Sequence, residues 1–436
     1  MSIPLDNLYH WVESLLPDPA VLYVFRPSGS KKISDFDWFN AYDRATVYKF
    51  PGIIVHDQEP LDWDYYNPEE RYLNRLGLPL ASDFAKIQQK YAVRFNLKSL
   101  VIIKNSLLYD NTILIHSEKD SYDLTQYKQN GFIGVHYWAH AIIARDWYRF
   151  AQFDSRLNQP NTQRYKFLIY CRDWSHRREY RLKFLDLLAK NGLQDNSLTS
   201  VMHTNSDGVH FSQHKFLNPE FELVDPEIIT QFENNDFCST SSADYNYADF
   251  INTEVSVVLE TVVDDQRIHL TEKTLRPIAC GHPFILVAGP GSLQYVKDYG
   301  FKTFAPWIDE SYDTEPNTLK RIEKIQQAML QIKNLKGQEY KKFLTAVKSI
   351  AEFNKQHFFS DTFFNTLQTE LKDNLNQAYI LVKNTKGKHY MELIKLLKNQ
   401  NFIHQLPRRQ ERTLFLRQLR QSCQDDPSNP QEDLPV

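Results

Sequence analysis

The sequence predicts an α/β protein: two Rossmann-like domains followed by a helical C-terminal extension. Three observations carry this. Short, nearly continuous apolar runs recur through the first two thirds of the chain, amphipathic stretches separate them, and after Asn317 the strand-like runs give way to Lys-rich helical patterning. Apolar runs without alternation fit strands buried on both faces, as in a parallel sheet covered by its crossover helices. At 436 residues the chain is too long for one compact core, so two domains are expected.

The elements follow in order. "VLYVF" from Val21, "GIIVHD" from Gly52, "LVIIK" from Leu100, "TILIHS" from Thr112 and "FIGVH" from Phe132 read as strands. "DFAKIQQKYAVRF" from Asp83 and "YWAHAIIARDWYRFA" from Tyr137 read as helices. The polar stretch "DSRLNQPNTQR" from Asp154 reads as a linker. The pattern then restarts with the strand "KFLIYC" and the helix "RREYRLKFLDLLAKNG", which Gly192 ends. "EVSVVLET" and "HPFILVAG" are further strands, and "PGSLQYVKDYG" is a helix closed by Gly300. The expected division is residues 1–155 and 156–316 for the two Rossmann-like domains, a helical region 317–421, and a disordered tail 422–436. That tail, acidic and Pro-rich, has almost nothing to bury.

Chemistry concentrates in "LETVVDDQRIHLTEKTLRPIACGHPFILVAGPGS", Leu259 to Ser292, where a strand hands over to a helix through Thr271-Glu272-Lys273. Thr271 suits the N-cap, since its hydroxyl can accept from an orphan N–H. A helix N-terminus attracts phosphate, and Lys273 adds a cation there. Glu272 repels phosphate, so its task is different: accepting hydrogen bonds from ribose hydroxyls. The plainer alternative is a solvated first turn, where Glu is common. Pro277 should kink or shorten the helix. "GPGS" from Gly289 is a second tight turn opening a helix, another candidate phosphate or sugar contact.

"VSVVLETVVDDQRIHLTEKTLRPIACGHPFILVAG" resembles the donor-binding segment of the fucosyltransferase-type glycosyltransferases of GT-B fold, and "TEKTLRPIACGHPF" with "GFKTF" also resembles glycosyltransferase-like proteins of tailed bacteriophages. The match covers roughly Val255 to Asp313, a minority of the chain. The resemblance implies a nucleotide-sugar co-substrate with no further cofactor. It places Glu272 on the ribose and Lys273 on the diphosphate. It also implies an upstream arginine on the same diphosphate. Arg177 or Arg178 in "YCRDWSHRREYRLKF" fills that place, with Arg172 as rival.

Inverting transfer needs a base for the acceptor hydroxyl and cations for the departing diphosphate. The strand end His56-Asp57-Gln58-Glu59 offers the base, Glu59 first and Asp57 second, with Trp63, Tyr65 and Tyr66 as candidate acceptor-pocket walls. An acidic turn with inward aromatics reads equally well. His116 is a weaker candidate base, and His136 a candidate cleft residue.

A net charge of −3 argues against a globally basic nucleic-acid binder. Cys171, Cys238, Cys280 and Cys423 show neither metal-ligand spacing nor a disulfide framework, which fits a reducing compartment. With no signal peptide and no spanning run, a cytoplasmic protein is expected, in the host cytoplasm if phage-encoded. The expected function is metal-independent glycosyl transfer to a hydroxyl acceptor, either a glycan or a hydroxymethylated DNA base. The alternatives are a non-catalytic nucleotide- or sugar-binding module and, last, a metal-dependent nuclease or phosphatase on Asp57-Glu59 and Asp264-Asp265.

Overall fold

The computed structural model describes residues 2–4, 7–18, 21–25, 52–56, 59–61, 112–129, 132–159, 165–205, 208–223, 225–234, 239–263 and 266–399. The helix predicted from Asp83, the strand from Leu100, Asp57, the aromatics Trp63, Tyr65 and Tyr66, Asp264-Asp265 and the tail lie outside them.

The chain is α/β, with two four-stranded parallel sheets among the described residues. The first holds β1 (Val21–Phe25), β2 (Gly52–His56), β3 (Thr112–His116) and β4 (Ile133–His136), in that order. The second holds β5 (Phe167–Cys171), β6 (Ser197–Val201), β7 (Val255–Leu259) and β8 (Phe284–Val287), ordered β6-β5-β7-β8. β7 and β8 are buried at every position, as unbroken apolar runs require. Strand order reverses between β5 and β7. Crossovers there leave in opposite directions and open a crevice at the strands' carboxyl ends.

Helices cover the sheets: α1 (Leu8–Ser14), α2 (Tyr122–Gln129), α3 (Ala139–Trp147), α4 (Tyr180–Lys190), α5 (Tyr247–Ile251), α6 (Glu272–Ala279) and α7 (Ser292–Asp298). α4 starts three residues after Arg177, because His176–Arg178 form a separate 3-10 turn. Gly192 closes it at φ 59°, the left-handed conformation that favours glycine. Pro277 sits inside α6, which ends two residues later. β6 and α2 were not evident in the sequence. β6 is an edge strand whose "SLTSV" alternates little and buries little between its ends.

The C-terminal helices are α8 (Thr318–Asn334), α9 (Gly337–Phe359) and α10 (Asp361–Asn399). α10 returns to the first sheet, where Leu371, Leu375 and Ala378 join Ile53, Val55, Ile113 and Ile115 in one apolar cluster. Asn374 there donates to the His136 carbonyl at 2.9 Å. No described helix is long and apolar enough to cross a membrane.

The loop between β7 and α6 is stitched to the first sheet. Lys119 and Ile268 exchange two backbone hydrogen bonds of 3.0 Å. Trp138 Nε1 donates to the Leu270 carbonyl at 2.9 Å. Arg267, buried, donates to Glu118 at 3.1 Å, Asp123 at 2.5 Å and the Leu61 carbonyl at 2.7 Å. These ties fix the loop that ends in Thr271-Glu272-Lys273.

Candidate functional site

A cavity of about 810 Å³ opens at the carboxyl ends of β5 and β7, within the size range of small-ligand pockets. Its walls bring together Glu272, Lys273, Arg172, Arg178 and, from the first sheet's side, Glu59.

The acid–base pair is held by local sequence. Thr271 caps α6, its hydroxyl accepting from Lys273 N–H at 3.3 Å. Lys273 Nζ lies 2.9 Å from Glu272 Oε1 and 3.3 Å from Thr271 Oγ1. His140 Nε2, on α3, stands 3.9 Å from the other Glu272 oxygen. Burial opposes ionisation of Glu272, but Lys273 and His140 outweigh it and hold the carboxyl far below the usual carboxylate range. It is therefore an ionised acceptor at neutral pH, suited to hydroxyl donors.

At the N-terminus of α6, the N–H groups of Thr271 and Lys273 are already engaged within the protein. The Thr271 N–H donates to Glu260 Oε1 at 3.0 Å, and the Lys273 N–H is taken by the cap. Glu260, fully buried just after β7, is the internal acceptor at this helix end.

The arginines sort themselves. Arg178 lines the cavity, 2.9 Å from Asp173 and 3.4 Å from Glu59. Arg172 also lines it, with Nη1 3.4 Å from Ser242 Oγ. Arg177 does not: its side chain is half exposed and reaches Asp123 at 3.9 Å. His176, at φ 52°, turns the chain here in a conformation uncommon for a non-glycine residue. Burial opposes ionisation of Asp173, yet bonds from Ser175 and the charge of Arg178 keep its carboxyl below the ordinary range.

Other lining residues escaped the sequence reading. Arg276, one turn after Glu272, donates to the Ser241 and Ser242 carbonyls at 3.1 Å and lies over the Tyr148 and Tyr170 rings. The i, i+4 spacing from Glu272 was its available signal. Arg181, on α4, donates to the carbonyls of Asp173, Leu259 and Glu260, joining the ends of β5 and β7. His140 and Trp147 come from a helix, α3, whose pattern signals only burial.

The remaining candidates lie elsewhere. Buried His116 accepts from the Glu118 N–H at 3.3 Å; burial, with His136, His56 and Lys128 nearby, pushes its pKa well down. His136 pairs with Glu370 at 3.2 Å and contacts the Tyr295 hydroxyl at 3.3 Å. Neither lines the cavity. "GPGS" borders a separate hollow of about 710 Å³, and its helix start is capped by Asp313, which accepts from the Leu293 N–H at 2.9 Å. Among the described residues, no group of three or more His, Cys, Asp or Glu is placed to hold a metal ion.

No family model, characterised protein or solved structure matches the chain.

Proposed function

We propose that the protein is a glycosyltransferase of GT-B type that moves a sugar from a nucleotide donor to a hydroxyl acceptor. One observation carries the reading: Glu272 and Lys273 share a single cavity with Arg172, Arg178 and Glu59. An ionised, buried carboxylate beside an ammonium and guanidinium groups matches a ribose next to a diphosphate.

In this reading Glu272 accepts from ribose hydroxyls, while Lys273, Arg172 and Arg178 neutralise the diphosphate. Glu59 takes the proton of the acceptor hydroxyl as its oxygen bonds to the anomeric carbon. The bond from that carbon to the phosphate oxygen breaks, and the diphosphate leaves with the electron pair. This is inverting chemistry. Arg178 must move from Glu59 to the diphosphate for the base to be free, so donor binding would arm the base. The acceptor is a glycan or a hydroxymethylated DNA base.

A second reading is a nucleotide- or sugar-binding module without turnover. The Glu59–Arg178 pair at 3.4 Å favours it, because a guanidinium occupies the carboxylate that an acceptor hydroxyl must reach. The test is incubation with a panel of nucleotide sugars, following donor consumption, alongside calorimetric titration with nucleoside diphosphates. Transfer or hydrolysis that is lost in Glu59→Gln supports the enzyme. Binding without consumption of any donor supports the module. No binding of any nucleoside diphosphate removes the enzyme and the nucleotide-binding module, and leaves only sugar binding to be titrated.

A further inference from the structure

We infer that Glu260 is the positioning residue of this site, fixing the direction of the Thr271 hydroxyl and thereby the place of the Lys273 ammonium. The inference deepens the nucleotide-pocket reading and rests on it for the ligand, but its geometry stands on its own.

Glu260 is wholly buried at the carboxyl end of β7, and its main chain is anchored on both sides. Its N–H donates to the Val287 carbonyl at 3.0 Å, and its carbonyl accepts from Tyr180 and Arg181. Its carboxylate receives four donors. Oε1 accepts from the Thr271 N–H at 3.0 Å and from Thr274 Oγ1 at 2.6 Å. Oε2 accepts from Thr271 Oγ1 at 2.7 Å and from the Thr261 N–H at 3.3 Å. Three of these donors belong to the start of α6.

The consequence for Thr271 is directional. A hydroxyl has one proton and two lone pairs. The Glu260 carboxyl oxygen at 2.7 Å takes the proton, because both carboxyl oxygens already face backbone N–H groups, which can only donate, and so stand as acceptors. The lone pairs then face the Lys273 N–H and Nζ, each at 3.3 Å. Without Glu260 the proton is free to rotate toward Lys273, and the hydroxyl ceases to be a dedicated acceptor for the ammonium. The neighbouring Thr261 hydroxyl, 3.4 Å from Lys273 Nζ, sits on the residue whose N–H Glu260 also holds. One buried acid therefore holds the Thr271 hydroxyl directly and the Thr261 backbone beside it, and so sets the side of the lysine that Glu272, at 2.9 Å, does not.

Glu260→Gln keeps the size but replaces one acceptor oxygen by an NH2 group that faces donors. Thr271→Val keeps the shape and deletes the hydroxyl. The readout is the rate at which the Lys273 amine is acylated by acetic anhydride, measured by peptide mass spectrometry against other lysines of the same protein without ligand. Both variants should raise the Lys273 rate about 3-fold or more with the remaining lysines unchanged, and the double variant should add little. Should Glu260→Gln fail to fold, Glu260→Asp, whose shorter side chain draws the carboxyl back from the Thr271 hydroxyl, takes its place in the same labelling. Unchanged Lys273 labelling in a folded variant, or equal acceleration at every lysine, overturns the assignment. A parallel arm adds the diphosphates of uridine, guanosine, adenosine and cytidine. If none protects Lys273 in the unmodified protein, the nucleotide reading fails, while the ligand-free rates still decide the role of Glu260.

Discussion

Replacing Arg267 by leucine tests the junction that holds the cavity's loop in place. Leucine reproduces only the aliphatic stem. It leaves Glu118, Asp123 and the Leu61 carbonyl in a buried seam without the donor each now uses at 3.1, 2.5 and 2.7 Å. Removing one member of a buried ion pair costs about 3–5 kcal/mol, a large share of the roughly 5–15 kcal/mol that holds a typical domain together. The loss should also carry a pH signature. Burial raises the Glu118 carboxyl from 4.5 to about 7, with Arg267 the first influence pulling it down. A carboxyl raised in the folded state favours folding while it is protonated. That contribution is complete below 4.5 and drains away as pH rises through 7, a difference of roughly 3 kcal/mol. Without Arg267 the carboxyl rises further, so the deficit of Arg267→Leu should widen from about pH 5.5 to about pH 8. Urea denaturation of both proteins at the two pH values, with m-values compared, measures it. A variant within about 1 kcal/mol of the unmodified protein at the higher pH, or a deficit independent of pH, refutes the reasoning.

Lys273→Ala should weaken nucleoside diphosphate binding about 10- to 100-fold, the worth of a charge-assisted hydrogen bond, and leave nucleoside binding nearly unchanged in calorimetric titration. His56 and His282 are both held neutral by burial at about 4 against an ordinary 6.5. Each lowered imidazole supports the fold above 6.5 and loses that support as pH falls toward 4, roughly 3 kcal/mol apiece. Denaturation midpoints measured from neutral pH downward should fall across that window, less steeply in His282→Asn. Tyr148→Phe removes a buried hydroxyl that donates to the Ser242 carbonyl at 2.6 Å and accepts from Arg276 at 3.2 Å. It should cost about 1–2 kcal/mol in denaturation and speed amide exchange at residues 239–243.

How much was legible in the sequence varied by element. β7 and β8 are apolar runs buried at every position, and their pattern reports their environment directly. The Thr271 cap was equally readable, because it joins residues two apart. β6 was not, since an edge strand can be polar without cost. The arginine expected on a diphosphate was left open between Arg177, Arg178 and Arg172. Only the turn at His176, with Asp173 and Asp123 as competing partners, sends Arg178 into the cavity and Arg177 out of it. Glu260 stood in plain view at the end of "VVLE", yet nothing nearby said that its carboxylate would close the helix start eleven residues later.

The sequence by itself determined the alternation of strand and helix, the capped start of α6 and the adjacency of acid and base at Glu272 and Lys273. Those depend on periodicity and on contacts a few residues long, which a chain carries wherever it folds. The tertiary structure alone decided that Glu59 faces that pair, that Arg181 joins β5 to β7, and that Arg267 meets Glu118 across 149 positions. Such meetings depend on which loops the sheets bring to one place. Burial then fixes each charge's partner, because a buried charge without one is too costly to persist.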